Sequence, residues 1–329
     1  MTGGSLDTPD TPDPSGPLDT PGSSAAAQVR RGTLQGAAAY ALWGLFPFYF
    51  YALLPAGPVE VIGHRILWSM LTCLVLLVLR GQWAWLRTLT PALVGRLTVA
   101  ALVVAVNWFT YVVAVQAGQT NEAALGYFLN PLLTVTLGVL VLGERLRRLQ
   151  AAAVLVGALA AAYLTVVGGR VPVIALIVST SFALYGLLKN RVGRSLDALS
   201  GFAVETAALS PIAALLLGLL SLAPAALPSW LHGGEPLTFT TLGAGHAALL
   251  VLAGPVTTVP LLLFAAAARR VPLVTIGLLQ FLAPVLQLAS GLALGEHVSP
   301  ARWAGFAIVW VALALLTVDS FRQRLPGHG

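Results

Sequence analysis

Residues 122–144 read EAALGYFLNPLLTVTLGVLVLGE, and residues 278–296 read LLQFLAPVLQLASGLALGE. Phe128-Leu129-x-Pro131 in the first stretch matches Phe281-Leu282-x-Pro284 in the second at an offset of 153 residues. The closing glutamates, Glu144 and Glu296, match at 152. Each stretch is close to the ~20 apolar residues that a helix needs to cross the hydrocarbon core. A second pair of matches lies upstream of each: Ala39-Tyr-Ala-Leu-Trp43-Gly44 and Ser181-Phe-Ala-Leu-Tyr185-Gly186. Working outward, similar apolar spans occupy 33–52, 61–79, 97–115, 149–167, 171–188, 199–220, 242–264 and 301–318, beside 122–142 and 272–294. The chain therefore reads as an all-α polytopic membrane protein, with ten transmembrane helices in two five-helix repeats, 32–168 and 171–319. Five is odd, so the second repeat enters the membrane upside down. Inverted repeats of this kind build secondary transporters, with a binding site near the midplane. A β-barrel is excluded, because its strands are short and alternate apolar with polar residues.

Composition agrees. The chain is 57% hydrophobic and 9% charged, with a mean hydropathy of +0.86, whereas a soluble domain carries roughly 25% charged residues. Its net charge of +6 is scattered between apolar spans and forms no stripe that would fit nucleic acid. The sole cysteine, Cys73, lies in an apolar run and has no intrachain disulfide partner. Residues 1–29 are rich in Pro, Gly, Ser, Thr and Asp. They lack the apolar core of a secretory signal and read as a disordered acidic cytoplasmic tail; residues 320–329 form a C-terminal tail.

The basic residues set the orientation. With the N-terminus inside, Arg30, Arg31, Arg80, Arg87, Arg96, Arg145, Arg147, Arg148, Lys189, Arg191, Arg194, Arg269, Arg270, Arg322 and Arg324 all fall on the cytoplasmic side. Only Arg170 and Arg302 fall outside, and Arg65 lies within a span. The positive-inside rule then places both termini in the cytoplasm. The longest outside loop, 221–241, has no Lys or Arg and reads as a tether, with Trp230 as an interfacial anchor.

The two LGE-terminated segments resemble the EamA domains of the drug/metabolite transporter superfamily. Tyr40-Ala-Leu-Trp-Gly-Leu-Phe-Pro-Phe-Tyr-Phe50, Glu60-Val-Ile-Gly-His-Arg65-Ile-Leu-Trp68-Ser69 and Asn121-Glu-Ala-Ala-Leu-Gly-Tyr-Phe-Leu-Asn-Pro131 together resemble its RarD-type members. The resemblance covers residues 32–319. It implies ten helices, an inner-membrane location and transport of a small metabolite or drug. Members often carry the label chloramphenicol-sensitive.

Candidate site residues follow from what is rare inside a span. Arg65 is the sharpest, because ionisable residues at membrane depth usually face the bundle interior or a water-filled path. Its planar fork suits a carboxylate; interfacial pairing with Glu60 is the structural alternative. His64 beside it has the ionisation range of a proton carrier. Glu205 holds the comparable place in the seventh span, as a partner for Arg65 or a proton site, and Lys189 lies at the inner end of the sixth. Asn107, Gln116, Asn121, Asn130, Thr257, Thr258, Gln280 and Gln287 are polar groups able to meet a solute or to join helices. Trp43, Trp108, Tyr127 and Tyr185 are candidate aromatic walls. Pro131, Glu144, Pro284 and Glu296 belong to the repeat, the prolines as bends and the glutamates at helix ends, Glu144 beside Arg147 and Arg148.

No Walker loop, metal-ligand spacing or nucleophile elbow occurs, so no cofactor, metal or catalytic residue is expected. The function expected is a secondary transporter moving a small metabolite or drug-like solute by alternating access, with proton coupling open. The alternatives are a channel-like facilitator and, less favoured, a membrane-embedded enzyme. The expected partners are a small-molecule substrate and membrane lipids, and the Gly and Ala content permits a homodimer as readily as close packing within one chain.

Overall fold

The computed structural model describes residues 21–81, 83–143, 145–192, 196–226, 228–232 and 237–322. Among them there is no strand. In chain order the helices are α1 (Pro21–Gly44), α2 (Phe46–Ala52), α3 (Pro58–Arg80), α4 (Pro91–Gln116), α5 (Thr120–Leu142), α6 (Arg148–Gly168) and α7 (Val173–Val192). There follow α8 (Ala198–Leu222), α9 (Ser229–His232), α10 (Thr238–Thr241), α11 (Ala244–Ala268), α12 (Leu273–Leu279), α13 (Leu282–Ala293) and α14 (Pro300–Arg322). Proline opens α3, α4 and α14, where its missing N–H costs no helical bond. Gly81 (φ 60°) and Gly143 (φ 69°) cap α3 and α5 in the left-handed region, which glycine enters without steric cost.

Eight helical stretches among the described residues are long and apolar enough to cross a membrane, and Val173–Lys189 is a shorter apolar one. Large apolar side chains lie bare on the outside of the bundle: Leu79 is 77% exposed, Val166 81% and Leu222 87%. That is the reverse of a water-soluble surface and suits contact with lipid. The chain is a multi-pass membrane protein.

Two expected spans are interrupted. The first breaks at Leu45, ahead of Pro47, into α1 and α2. The span over 272–294 breaks at Gln280–Phe281, just before Pro284. Proline removes a donor and crowds the carbonyl one turn earlier. Pro131, by contrast, stays inside a continuous α5. The N-terminal boundary also moves: α1 begins at Pro21, so residues 21–29 of the expected tail are helical, while residues 1–20 lie outside the described residues.

Alternating turns give the bundle two ends. At the terminal end Arg147 forms an ion pair with Asp319 at the close of α14, and Arg270 bonds Gln28 and Gln35 of α1. At the far end lie the α2–α3, α4–α5 and α6–α7 turns and the segment carrying α9 and α10. Central α3 packs on α8 and α11; α4 packs on α7, α5 on α7 and α13, α6 on α14, and α1 on α11 and α13.

Candidate functional site

Helix α3 and helix α11 both run from the far end to the terminal end, parallel and in very close contact. A Cβ at Gly254 would collide with the Trp68 carbonyl, so only glycine permits this approach. The long Arg65 side chain reaches along α11 past that contact, and its Nε donates to Thr257 Oγ1 at 3.0 Å. From α4, the Trp108 ring lies 4.2 Å from the guanidinium carbon. Phe50 and Phe46 of α2 lie at 5.3 and 5.6 Å. Such rings attract a cation through their negative faces. Tyr49, Tyr111 and Tyr127 complete its electrostatic surroundings. The Tyr111 hydroxyl is buried without a hydrogen-bond partner.

Arg65 is 4% exposed, yet among the described residues no carboxylate lies within ion-pair distance of it. A buried charge without a counter-ion is expensive. Aromatic rings and one hydroxyl offset that cost only in part. Neither proposed side-chain partner reaches it. Glu60 bonds α10 instead.

Glu205 belongs to a second polar layer. Its carboxylate is fully enclosed, accepting from Lys189 Nζ at 2.6 Å and from the Tyr185 hydroxyl at 3.0 Å. The pairing with Arg65 expected from sequence is ruled out by register. Gly63 packs on Leu217, and Ser210 bonds Met70. That antiparallel alignment of α3 and α8 places Glu205 opposite Val75, about 15 Å along α3 from Arg65 at 1.5 Å per residue. Between the layers Trp108 meets Phe202 edge-on at 6.1 Å. Asn107 donates to the Val178 carbonyl and the Ser181 hydroxyl and accepts from Tyr127. A ring contact from Tyr127 through Phe182 continues to Tyr185.

A third cluster sits over Arg65 at the far end. Glu60, with no exposed surface, accepts from the N–H groups of Thr238 and Phe239 and from the Thr238 hydroxyl. It therefore caps the start of α10 from another helix. The Thr238 hydroxyl also meets His246 Nε2 at 2.8 Å. His64 stacks on Phe239 with centroids 4.6 Å apart, and its Nδ1 accepts from Trp68 Nε1 at 3.0 Å. The expectation of a simple tether over 221–241 is thus corrected for its last residues, which are inserted against α3; Trp230 remains 60% exposed. Thr238, Phe239, His246 and Trp68 escaped the sequence reading. Their one available signal was a Thr-rich stretch, TFTT, in a loop without Lys or Arg.

The remaining candidates stand apart from Arg65. Trp43 packs on Tyr40 and Phe264, and its carbonyl accepts from Gln287. Asn130 Oδ1 and both polar atoms of the Asn121 side chain are buried without partners. Gln280 lies at the α12–α13 break. Glu296 caps α5, accepting from the N–H groups of Thr120 and Asn121. Its helix-end role is structural here, where its charge meets the positive end of the helix. Glu144 lies outside the described residues; its neighbour Arg147 pairs with Asp319. Among the described residues no group of His, Cys, Asp and Glu could hold a metal.

An apolar bundle of membrane-crossing helices with a few polar side chains enclosed in it belongs to the class of polytopic membrane proteins. The EamA-like transporter family matches residues 30–166. The chain is 44% identical to Protein RarD of Streptomyces exfoliatus over 90% of each chain. It is 42% identical to an uncharacterized transporter of Pseudomonas aeruginosa, over 93% of this chain and all of the other. A chloramphenicol-sensitive protein RarD of the same organism is 34% identical over 89% of this chain and 95% of its own. One solved crystal structure superposes with a TM-score of 0.55 at 22% identity, covering 89% of this chain and 98% of the other, and supports the fold alone. The chain belongs to the EamA-like transporter family, among the RarD-like proteins of the drug/metabolite superfamily.

Proposed function

We propose that this protein is a secondary transporter for a small organic solute bearing a carboxylate or similar anionic group. The group binds Arg65 between two inverted five-helix halves, which rock to expose it to either side in turn. The carrying observation is the buried Arg65 without a counter-ion, held by Trp108 and Thr257. Helix exchange supports the two-half architecture. α4 packs on α7 as α11 packs on α1, and α5 packs on α7 as α13 packs on α1. Equivalent helices α3 and α8, α5 and α13, and α6 and α14 pair with one another. Counting α1 with α2 as the first span and α7 as the sixth makes ten. The distribution of Lys and Arg puts the terminal end in the cytoplasm and the far end outside. The aromatic lining fits an organic solute, in keeping with the chloramphenicol-sensitive name of one relative.

The test is uptake by purified protein in liposomes of a pool of amino acids and small carboxylates, with Arg65→Ala beside it. The expected result is uptake of a carboxylate-bearing solute, lost in the variant while its membrane insertion is normal. Undiminished uptake in Arg65→Ala overturns the assignment.

A further inference from the structure

The cluster at the far end is a latch, and its chemistry points to a ligand: the proton. The segment α10 is fastened to α3 at two places. One is the Glu60 carboxylate, which collects three hydrogen bonds from Thr238 and Phe239. The other is the His64 ring, flat against Phe239. The hydrogen bonds define the protonation states that keep the latch shut. Glu60 only accepts, so it is ionised. Since the Thr238 hydroxyl donates to Glu60, it accepts from His246 Nε2, which therefore carries a hydrogen. His64 Nδ1 accepts from the Trp68 indole, which only donates, so His64 is neutral with its proton on Nε2. A proton arriving at His64 Nδ1 takes the lone pair that holds Trp68. A proton arriving at Glu60 removes acceptor capacity that three donors share. With two donors then face to face, the His64 ring must turn from Trp68, which takes it off Phe239, so that either event loosens α10.

The charges nearby tie the His64 proton to the solute site. The titratable and charged side chains around His64 are Glu60 and Arg65 on its own helix and His246 from α11. Among the described side chains, α10 contributes none, α2 and α4 only tyrosines, and α8 none at this level. An imidazolium at position 64 would thus adjoin Arg65 on the chain and meet the repulsion of His246. An anion bound at Arg65 offsets exactly that like-charge crowding. Proton and anion then favour each other's binding, and the coupling is reciprocal.

We propose that His64, with His246 and Glu60, is a proton site at the external mouth, whose occupancy releases α10 and opens the path to Arg65, so that a proton and an anionic solute enter together. The inference rests on Arg65 being the solute site. Its geometry is otherwise independent of that reading, since the latch closes over Arg65 whatever binds there.

The test needs no solute. Thr257→Cys, in a Cys73→Ser background, places one thiol beside Arg65. Full-length protein in liposomes is labelled with a membrane-impermeant maleimide at about pH 4 and about pH 7.5, well to either side of the ordinary histidine range. Rates are divided by those of Thr240→Cys, on the exposed side of α10, which cancels the reagent's own pH dependence. The expected result is a normalised rate about tenfold higher at the lower pH, as a minor open state of a few per cent becomes a major one. His64→Phe keeps a ring against Phe239 but takes no proton, and it is expected to abolish the rise. Trp68→Phe removes the donor that competes with the proton, and it is expected to shift the rise to higher pH. Equal normalised rates at both pH values, or a rise that persists unchanged in His64→Phe, overturn the proposal. Because labelling is read without a solute, that failure would leave the Arg65 reading intact. Loss of the Arg65 reading would in turn leave the labelling result standing.

Discussion

The two charged layers of this bundle have similar burial and opposite bookkeeping. Glu205 is enclosed with a cation 2.6 Å away and a phenol at 3.0 Å. Arg65 is enclosed with no anion among the described residues. A satisfied buried pair is what a membrane protein builds to hold two helices together, here α7 and α8. A buried cation without an anion is a poor structural choice beside a leucine, because the rings and the Thr257 hydroxyl offset only part of its desolvation cost. On the function proposed above, the Glu205 layer is architecture and the Arg65 layer recognition.

The contrast breaks most visibly at Arg65 itself. Arg65→Ala is expected to cut anion uptake at least a hundredfold while leaving the melting temperature in detergent unchanged or higher. Arg65→Lys is expected to recover little, since an ammonium has neither the fork nor the flat face that lies on Trp108. If Arg65→Ala instead lowers stability and spares uptake, the two layers have been assigned the wrong way round. Glu205→Ala should do the opposite. Breaking a buried pair from one side costs about 3–5 kcal/mol, so this variant is expected to melt far lower. Lys189→Ala should cost less, because its side chain is one-third exposed and water can replace part of the bond.

Trp108→Leu sharpens the comparison at a finer scale. Cation–π contacts are worth about 0.5–2 kcal/mol. Uptake should therefore show a KM for the anionic solute raised about tenfold, with protein stability nearly intact. An unchanged KM would mean that the ring merely fills space.

How much of this was legible in sequence depends on the range of the contacts. Arg65 announced itself as the one cation inside an apolar span. The fold followed from span length and charge alternation. Trp108 was visible as an aromatic at membrane depth, though its stack on Arg65 was not. Lys189 and Glu205 straddle a single hairpin, so their pairing is local in topology; it was missed because the register of α3 against α8 was unknown, and Arg65 looked like the better partner. Glu60 and Thr238 are 178 residues apart, and nothing in either neighbourhood predicts that one caps the other. Helix-end roles for Glu296 were foreseeable, but not which helix it caps: the recipient, α5, belongs to the other half of the chain.

The smallest expected effect lies at the foot of the architectural layer. Asp197 caps α8, the helix that carries Glu205, accepting from the N–H groups of Leu199 and Ser200 and from the Ser200 hydroxyl. Burial pushes its carboxyl up, but the Ser200 hydroxyl and the two N–H groups outweigh burial and hold it below the ordinary aspartate value. A carboxyl depressed in the folded state contributes stability above its unfolded value, about 3.9, and loses that contribution as pH falls through the folded one. Asp197→Ala should therefore destabilise by about 1 kcal/mol at neutral pH, and the gap between its melting curve and that of the unaltered protein should close as pH falls through the depressed folded value. A gap that stays constant with pH would mean that the cap acts through shape and not charge. Uptake by Asp197→Ala should be normal wherever the protein remains folded, because the end of α8 that Asp197 fixes lies on the architectural side of the comparison and touches nothing that holds Arg65.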